Sequence, residues 1–361
     1  MEMQPMAQAG EMNAGPQAME PDVLVIGGAL QKVLSGRDLD AALSESLFGA
    51  LVAGQLSDIE ISALATALKV KGECAAEIVG AARALRRAAL EFPTPDYPFA
   101  DSCGTGGDGA DTVNVSTAAA FVAAACGMPV AKHGNRSVSS RCGSLDLLEA
   151  VGVRIDAAPE VSRRCLDQVG LCVLDARQYH SGIRHAMPVR QALATRTIFN
   201  VLGPLVNPAA PTCQLLGVYD PKLCRPMAEA LRQLGCRSAL VVHGCGLDEI
   251  AMHGATQAVL LRDGELLDQT IAPEQAGLTR APLEALKGGG PSDNARWFTA
   301  ILQGDGPPAH LDAIALNAGA LLWLADVAGD LRDGVARARA ALAAGEPFLI
   351  LERLIELSHG A

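Results

Sequence analysis

Aromatic residues make up only 3% of this 361-residue chain, although half of it is hydrophobic. Its core must therefore be built from Ala, Leu, Val and Ile, and the length allows one large or two modest domains. Positive charge is scarce as well. A net charge of −11 excludes a general affinity for nucleic acid or anionic membranes and leaves room only for a local basic pocket. No uninterrupted apolar run reaches the ~18 residues of a membrane span. The N-terminus lacks a basic stretch followed by an apolar core, so no secretion signal is read there. Ten cysteines are scattered without a C-x-x-C or a paired spacing. They are expected to be reduced thiols, mostly small buried hydrophobes. The expectation is a cytoplasmic protein with neither a membrane nor a nucleic-acid partner.

What is present concentrates between Asp101 and Glu149. Gly104-Thr105-Gly106-Gly107-Asp108 runs on through Thr112 to Asn114-Val115-Ser116-Thr117. An apolar segment of helical length, Ala118 to Met128, follows. Pro129-Val130-Ala131 then leads into Lys132-His133-Gly134-Asn135-Arg136, and Ser137-Val138-Ser139-Ser140 to Gly143-Ser144 closes the stretch. Glycines let a backbone approach a phosphate closely. Ser116 and Thr117 stand where helix caps are expected, and a helix start favours anions. Lys132 and Arg136 add cationic donors. There is no G-x-x-x-x-G-K-[ST], and the run Gly-Thr-Gly-Gly-Asp-Gly is read as lacking the G-x-G-x-x-G spacing of a dinucleotide fingerprint. Three such clusters within ~45 residues point to a phosphorylated ligand.

Residues 1–21 lack periodicity and read as a disordered tail. Residues 22–92 read as a small all-helical domain. Ile26, Leu30, Val33 and Leu34 share one helix face, and Gly36 ends that helix. Asp40 or Ser44 starts the next, and Ser57 with Glu60 forms a capping box. Lys71-Gly72-Glu73 breaks the third helix. The fourth, Ala75 to Leu90, carries Arg83, Arg86 and Arg87 on a solvated side. Phe92 to Pro98 holds three prolines and reads as a linker.

From residue 93 to 361, β-branched runs alternate with helical segments. Strands are expected at Pro129–Ala131, Leu171–Leu174, Thr212–Val218, Ser238–Val242 and Gln257–Leu261. This is an α/β domain with a central, mainly parallel sheet, whose ligands sit beyond the carboxyl ends of strands. Part of 176–200 is expected to pack on the helical domain. Arg262 to Ala281 reads as strand and loop, and Asn317 as a hydrogen-bonding residue inside an apolar helix.

Two later segments carry further chemistry. Arg184, His185, Arg190 and Arg196 crowd together in an acidic chain, a density suited to carboxylate or phosphate. His243-Gly-Cys-Gly-Leu-Asp248-Glu249 follows a valine-rich strand and places two adjacent carboxylates at its end. That pair suits Mg²⁺. His243 and Cys245 leave a transition metal as an alternative that phosphate chemistry disfavours.

Gly104–Asp108, Asn114–Thr117, Lys132–Arg136, Gly143-Ser144 and the run Arg196-Thr-Ile-Phe-Asn-Val-Leu-Gly-Pro-Leu205 together resemble the anthranilate phosphoribosyltransferases, over about Val23 to Ala325. The family is nucleoside phosphorylase/phosphoribosyltransferase-like in fold. The resemblance implies transfer of a phosphoribosyl group from phosphoribosyl pyrophosphate to anthranilate, in tryptophan biosynthesis. It implies donor contacts from Gly104, Gly107, Asp108, Thr112, Asn114, Ser116, Thr117, Lys132, Asn135, Arg136, Ser137, Val138, Ser139, Ser140 and Ser144. It implies an anthranilate pocket of Gly104, His133, Asn135, His180, Arg190, Gly203 and Pro204, with His133, Asn135 and Arg190 catalytic. Two Mg²⁺ ions on Ser116, Asp248 and Glu249, with Asp108 close by, and a homodimer through the helical domain are implied too. The chain departs from the family pattern at Asp175-Ala176-Arg177, Ser181, Ala194 and Leu145. The changes concentrate near the acceptor pocket, which leaves a related aminobenzoate or another aromatic amine as the alternative acceptor in place of anthranilate. A pyrimidine nucleoside phosphorylase and a noncatalytic nucleic-acid-binding paralogue are the rival readings. Asn135, Arg190 and the 196–205 run oppose the first, and the charge of −11 opposes the second.

Overall fold

The computed structural model describes residues 23–136 and 141–360. Both the tail 1–21 and the 137–140 segment of the third polar cluster lie outside the described residues. Four helices come first: α1 (Val23–Leu34), α2 (Ala41–Val52), α3 (Asp58–Lys71) and α4 (Ala75–Arg87). Their ends follow local chemistry. Of the two starts considered for α2, Asp40 is used, its carboxylate accepting from Leu43 N–H. Ser57 and Glu60 form the reciprocal capping box of α3. Gly72 ends α3 at φ +88°.

Two expectations do not hold in this bundle. Leu34 is 52% exposed while Val33 is 1% exposed. Adjacent helical residues point about 100° apart, and the bundle takes the Val33 side. Arg86 does not share a solvated face with Arg83 and Arg87. Its flank of α4 meets the loop beyond residue 200, and its Nε donates to the Leu205 carbonyl at 2.7 Å.

The larger part comprises β1 (Ala100–Gly104), α5 (Val115–Ala125), β2 (Val130–Gly134), α6 (Ser144–Ala150), α7 (Pro159–Val169) and β3 (Leu171–Asp175). Then come α8 (Ala176–Tyr179), α9 (Met187–Leu193), α10 (Ile198–Leu202), β4 (Cys213–Gly217), α11 (Cys224–Gln233) and β5 (Ser238–His243). β6 (Thr256–Arg262), β7 (Glu265–Ile271), α12 (Pro291–Leu302), α13 (Pro308–Leu324), α14 (Leu331–Ala343) and α15 (Glu346–Ser358) complete it. One sheet results, in the order β3-β2-β1-β4-β5-β6-β7. β1 to β5 run parallel, and β6 and β7 add an antiparallel edge. β1 is central yet was not among the expected strands. Its residues, Ala-Asp-Ser-Cys-Gly, carry almost no β-propensity.

Side chains alternate between two cores. On β5, Leu240 and Val242 join a core with α5–α7 and α12–α15, while Ala239 and Val241 join α1–α4 and α9–α11. The helical bundle therefore shares a core with one face of the sheet, and Ala186, Val189 and Ile198 belong to that same core. α5 is buried almost all round. Its alanines let it lie close to the strands, with Phe121 edge-on to Phe298 at 5.2 Å. Among the described residues all ten cysteines are free, only Cys245 is exposed, and no helix is long and apolar enough to cross a membrane.

Candidate active site

Strand order reverses at β1 and β4. The chain leaves β1 through α5 toward β2 and leaves β4 through α11 toward β5, and these helices lie in different cores. A crevice opens beyond the carboxyl ends at such a point. Gly104 and Gly217 end the two strands in register, and the loop after β5 crosses directly over them. A Cβ on Gly217 would stand 1.6 Å from the Asp248 carbonyl oxygen, and one on Gly104 would stand 2.2 Å from Asp248 Oδ2. Glycine is required at both positions by that close approach.

The acid pair is anchored from both sides. Gly106 N–H donates to Asp248 Oδ2 at 2.6 Å. Ser116 N–H donates to Glu249 Oε1 at 3.1 Å, so a carboxylate occupies the N-terminus of α5. Asn317 fixes the next residue. Its Oδ1 accepts from Ile250 N–H at 3.0 Å and its Nδ2 donates to the Ile250 carbonyl at 3.2 Å. The core hydrogen bonding expected of Asn317 thus supports the acids.

Burial is the main force raising both carboxyl pKa values. The charge of Asp108 adds to it at Asp248, and that of Asp248 adds to it at Glu249, which is pushed up to about 8. A proton or a hard cation relieves such crowding, and Asp108 beside the pair adds further carboxylate oxygen. His243 is committed elsewhere. Its Nδ1 donates to the Val218 carbonyl at 2.8 Å and its Nε2 accepts from Gly246 N–H at 3.2 Å. The transition-metal alternative loses its nitrogen ligand. Among the described residues, the only three acid or thiol side chains that converge on one point are Asp38, Cys74 and Glu77. Lys71 Nζ already neutralises that group, at 2.6 Å from Asp38 and 2.9 Å from Glu77.

The glycine loop holds Gly106, Gly107 and Gly109 at positive φ. Asp108 Oδ1 accepts from Ala110 N–H, and Thr112 makes an isolated antiparallel bridge with Lys287. Contrary to the sequence reading, Gly104, Gly106 and Gly109 do carry G-x-G-x-x-G spacing. The fingerprint still fails on context, because α5 opens only at Val115. The cap also differs. Asn114 is the N-cap residue, so Ser116 and Thr117 lie inside the first turn. The Asn114 side chain is spent on the Cys142 carbonyl and on Asn294.

Lys132 lies beneath this loop, 2% exposed, donating to the Ser102 carbonyl at 2.7 Å. Burial lowers its pKa. Arg136 points toward α6 and pairs with Asp146 and Glu149. Asn135 Oδ1 accepts from Arg136 N–H, and Ser144 Oγ donates to the Asn135 carbonyl.

The acceptor-side residues meet on the opposite wall. His133 and His180 pack edge to face at 5.3 Å. His133 Nδ1 donates to the Gly203 carbonyl at 3.2 Å, which leaves Nε2 as a buried acceptor without a partner among the described residues. Burial, then the neighbouring His180, lowers the His133 pKa to about 3. Pro204 is buried behind Gly203. Arg190 has its guanidinium 5.7 Å from the Phe199 ring centroid and makes no ion pair among the described residues. Burial lowers its pKa.

Arg196, one of the basic cluster read from the sequence, stacks on Tyr219 at 4.4 Å and donates to the Gly107 carbonyl. Sequence reasoning passed over two supporting residues. Asn207 joins Asp101 and the Ala131 carbonyl. Gln214 donates to the Pro204 carbonyl. The polar letters inside the run Cys213–Gly217 and beside Gly104 were the available signal.

Known proteins resemble this chain over most of its length. Residues 96–348 match the glycosyl transferase family a/b domain, and residues 28–89 match the same family's helical bundle domain. The chain is 58% identical over 330 residues to the anthranilate phosphoribosyltransferase of Sorangium cellulosum, covering 91% of this chain and 95% of that one. It is 53% identical to the enzyme of the same name from Aeromonas hydrophila, covering 91% and 96%. The crystal structure of anthranilate phosphoribosyltransferase from Thermus thermophilus superposes with a TM-score of 0.88 at 45% identity, covering 92% of this chain and 99% of that one. The Saccharomyces cerevisiae enzyme in complex with PRPP and Mg superposes with a TM-score of 0.85 at 27% identity, covering 94% and 99%.

Proposed function

The chain belongs to the anthranilate phosphoribosyltransferases of the glycosyl transferase family, and from that premise we infer the reaction it performs. It transfers the phosphoribosyl group of phosphoribosyl pyrophosphate to the amine of anthranilate, giving N-(5-phosphoribosyl)anthranilate and pyrophosphate in tryptophan biosynthesis. The observation that carries this reading is the Asp248–Glu249 pair laid over the strand-order reversal, tied to the glycine loop and to the start of α5.

Those crowded carboxylates fit Mg²⁺. Asp248 and Glu249 would hold it, with Ser116 and Asp108 beside them, and two ions are proposed. A Mg²⁺ ion held by these residues would offset charge building on the departing diphosphate. Gly104, Gly107, Thr112, Asn114, Thr117, Lys132, Asn135, Arg136, Ser144 and the 137–140 segment are assigned to the donor. Arg190 is assigned to the anthranilate carboxylate, which a guanidinium grips through two hydrogen bonds. His180 and Gly203-Pro204 wall the ring. His133 Nε2 accepts a hydrogen bond from the amine. With a pKa near 3 it orients that nitrogen rather than storing its proton. As the C–N bond forms, the C–O bond to pyrophosphate breaks, the nitrogen releases one proton to the departing pyrophosphate or to water, and alignment supplies much of the acceleration.

The helical domain, 22–92, is proposed to join two copies of the chain, and Ile59 and Val70, each 82% exposed on α3, support that surface. The α/β domain, 93–361, is proposed to close on it about residues 92–98 and 176–190, and the protein to work in the cytoplasm. The test of function is anthranilate fluorescence. It decays on adding phosphoribosyl pyrophosphate with Mg²⁺ if the reading holds. A flat trace despite bound donor would assign the acceptor site to another aromatic amine.

A further inference from the structure

Three consecutive carbonyls in the acceptor wall accept from side chains of three different elements. His133 Nδ1, on β2, donates to Gly203 at 3.2 Å. Gln214 Nε2, on β4, donates to Pro204 at 2.6 Å. Arg86 Nε, on α4, donates to Leu205 at 2.7 Å. These carbonyls belong to the 3-10 turn Gly203–Leu205 that follows α10, where, among the described residues, the backbone supplies only Val206 N–H, to Gly203 at 3.4 Å. Two of the donors come from the sheet. The third comes from the helical bundle.

Arg86 is the odd member. Its neighbours behave as surface residues: Arg83 is exposed and reaches the Gln233 carbonyl, and Arg87 pairs with Glu45. Arg86 is largely enclosed, burial lowers its pKa, and among the described residues it makes no ion pair. A desolvated guanidinium without a carboxylate is costly, and an apolar side chain would suit this shared core better. The donor itself is what the position retains. We propose that Arg86 is a positioning residue for the acceptor half of the reaction, transmitting the seating of the helical bundle to the Gly203–Leu205 turn and through it to His133. This rests on the reading of that turn as the anthranilate wall. The charge of Arg86 also opposes protonation of His133 and His180, behind burial as the larger cause.

Arg86→Met keeps length and removes the donor. It is expected to raise KM for anthranilate about tenfold, the loss of one wall-positioning hydrogen bond. KM for phosphoribosyl pyrophosphate should stay within about twofold, and preference for anthranilate over a ring-substituted anthranilate should relax about fivefold. Gln214→Met frees the same turn from the sheet side and should show the same split, with a double variant less than multiplicative. Two results overturn the proposal. One is an acceptor KM and preference within twofold of wild type; the other is a parallel rise of both KM values with a lowered Tm, the mark of general loosening. Should Arg86→Met not fold, Arg86→Lys, which keeps charge but not the Nε donor, is judged by the same criteria. If wild-type protein fails to consume anthranilate, the functional reading fails. If only the Arg86 variants behave as wild type, this inference alone fails.

Discussion

The two halves of the site are made of different material. The donor half is backbone and oxygen: three glycines at positive φ, the first turn of α5 and two carboxylates from one loop. The acceptor half is side chains: His133 from β2, His180 after α8, Arg190 from α9 and a turn after α10, with Arg86 reaching in from the bundle. The first is written in short local motifs, because glycine and a helix start create an anion site wherever they fold, and one distant loop adds the carboxylates. The second exists only when the bundle and sheet share their core. Changes on the donor side should therefore abolish chemistry with any acceptor, and changes on the acceptor side should alter one substrate's KM.

The largest effect follows from the acid pair. Asp248→Asn keeps the hydrogen bond from Gly106 but removes the charge above the crevice. Turnover should fall about 10²- to 10³-fold, as when an electrostatic stabiliser is lost, and the Mg²⁺ titration should shift to higher concentration. Steady-state kinetics over a Mg²⁺ series read both. A Mg²⁺ curve identical to wild type would break the division, because the acids would then not serve the donor.

Arg190→Ala comes next. Removing an unpaired, partly buried guanidinium should raise KM for anthranilate roughly 10- to 100-fold, the range of a charged hydrogen-bonded contact. KM for phosphoribosyl pyrophosphate and the melting temperature should stay near wild type. The arginine leaves no buried carboxylate behind, so stability has little to lose. An equal rise in both KM values would show that the halves are not separable.

The same division explains what could be read from the sequence. Gly104–Gly107, Asn114–Thr117 and Asp248-Glu249 announce themselves because anion chemistry constrains neighbouring residues. Even there the cap was misplaced by two residues, since Glu249, over a hundred positions away, does the capping that Ser116 was expected to do. Arg86 read as solvated because α4 alone shows only a basic flank; the carbonyl it serves arrives through the fold. β1 escaped notice for a related reason. Its Asp101 and Ser102 are fully buried yet polar, held among Asn207, Lys132 and the neighbouring strands, and no period-2 pattern marks a strand whose burial is secured by partners elsewhere. The apolar, β-branched runs of β5 and β6, by contrast, are local and were legible.

The smallest effect is also the finest probe of the acceptor half. His133 is held neutral, with a pKa lowered from 6.5 to about 3, and His180 is lowered as well, burial leading in both. The profile of kcat/KM for anthranilate should therefore show no histidine inflection between about pH 5.5 and 8, where an ordinary imidazole would titrate. Stability should show what activity does not. Between pH 6.5 and about 3 the unfolded chain binds a proton at this residue that the folded chain refuses. Folding free energy is thus lost as pH falls through that window, by at most about 1.4 kcal/mol per pH unit for one proton. His133→Asn keeps a donor for the Gly203 carbonyl without the titration. Its Tm should fall less steeply than that of wild type below pH 6, by a few degrees in all. Parallel slopes would mean that the His133 ring takes up its proton in the folded protein, and a protonated Nε2 would then be a donor facing the amine, reversing the role assigned to it.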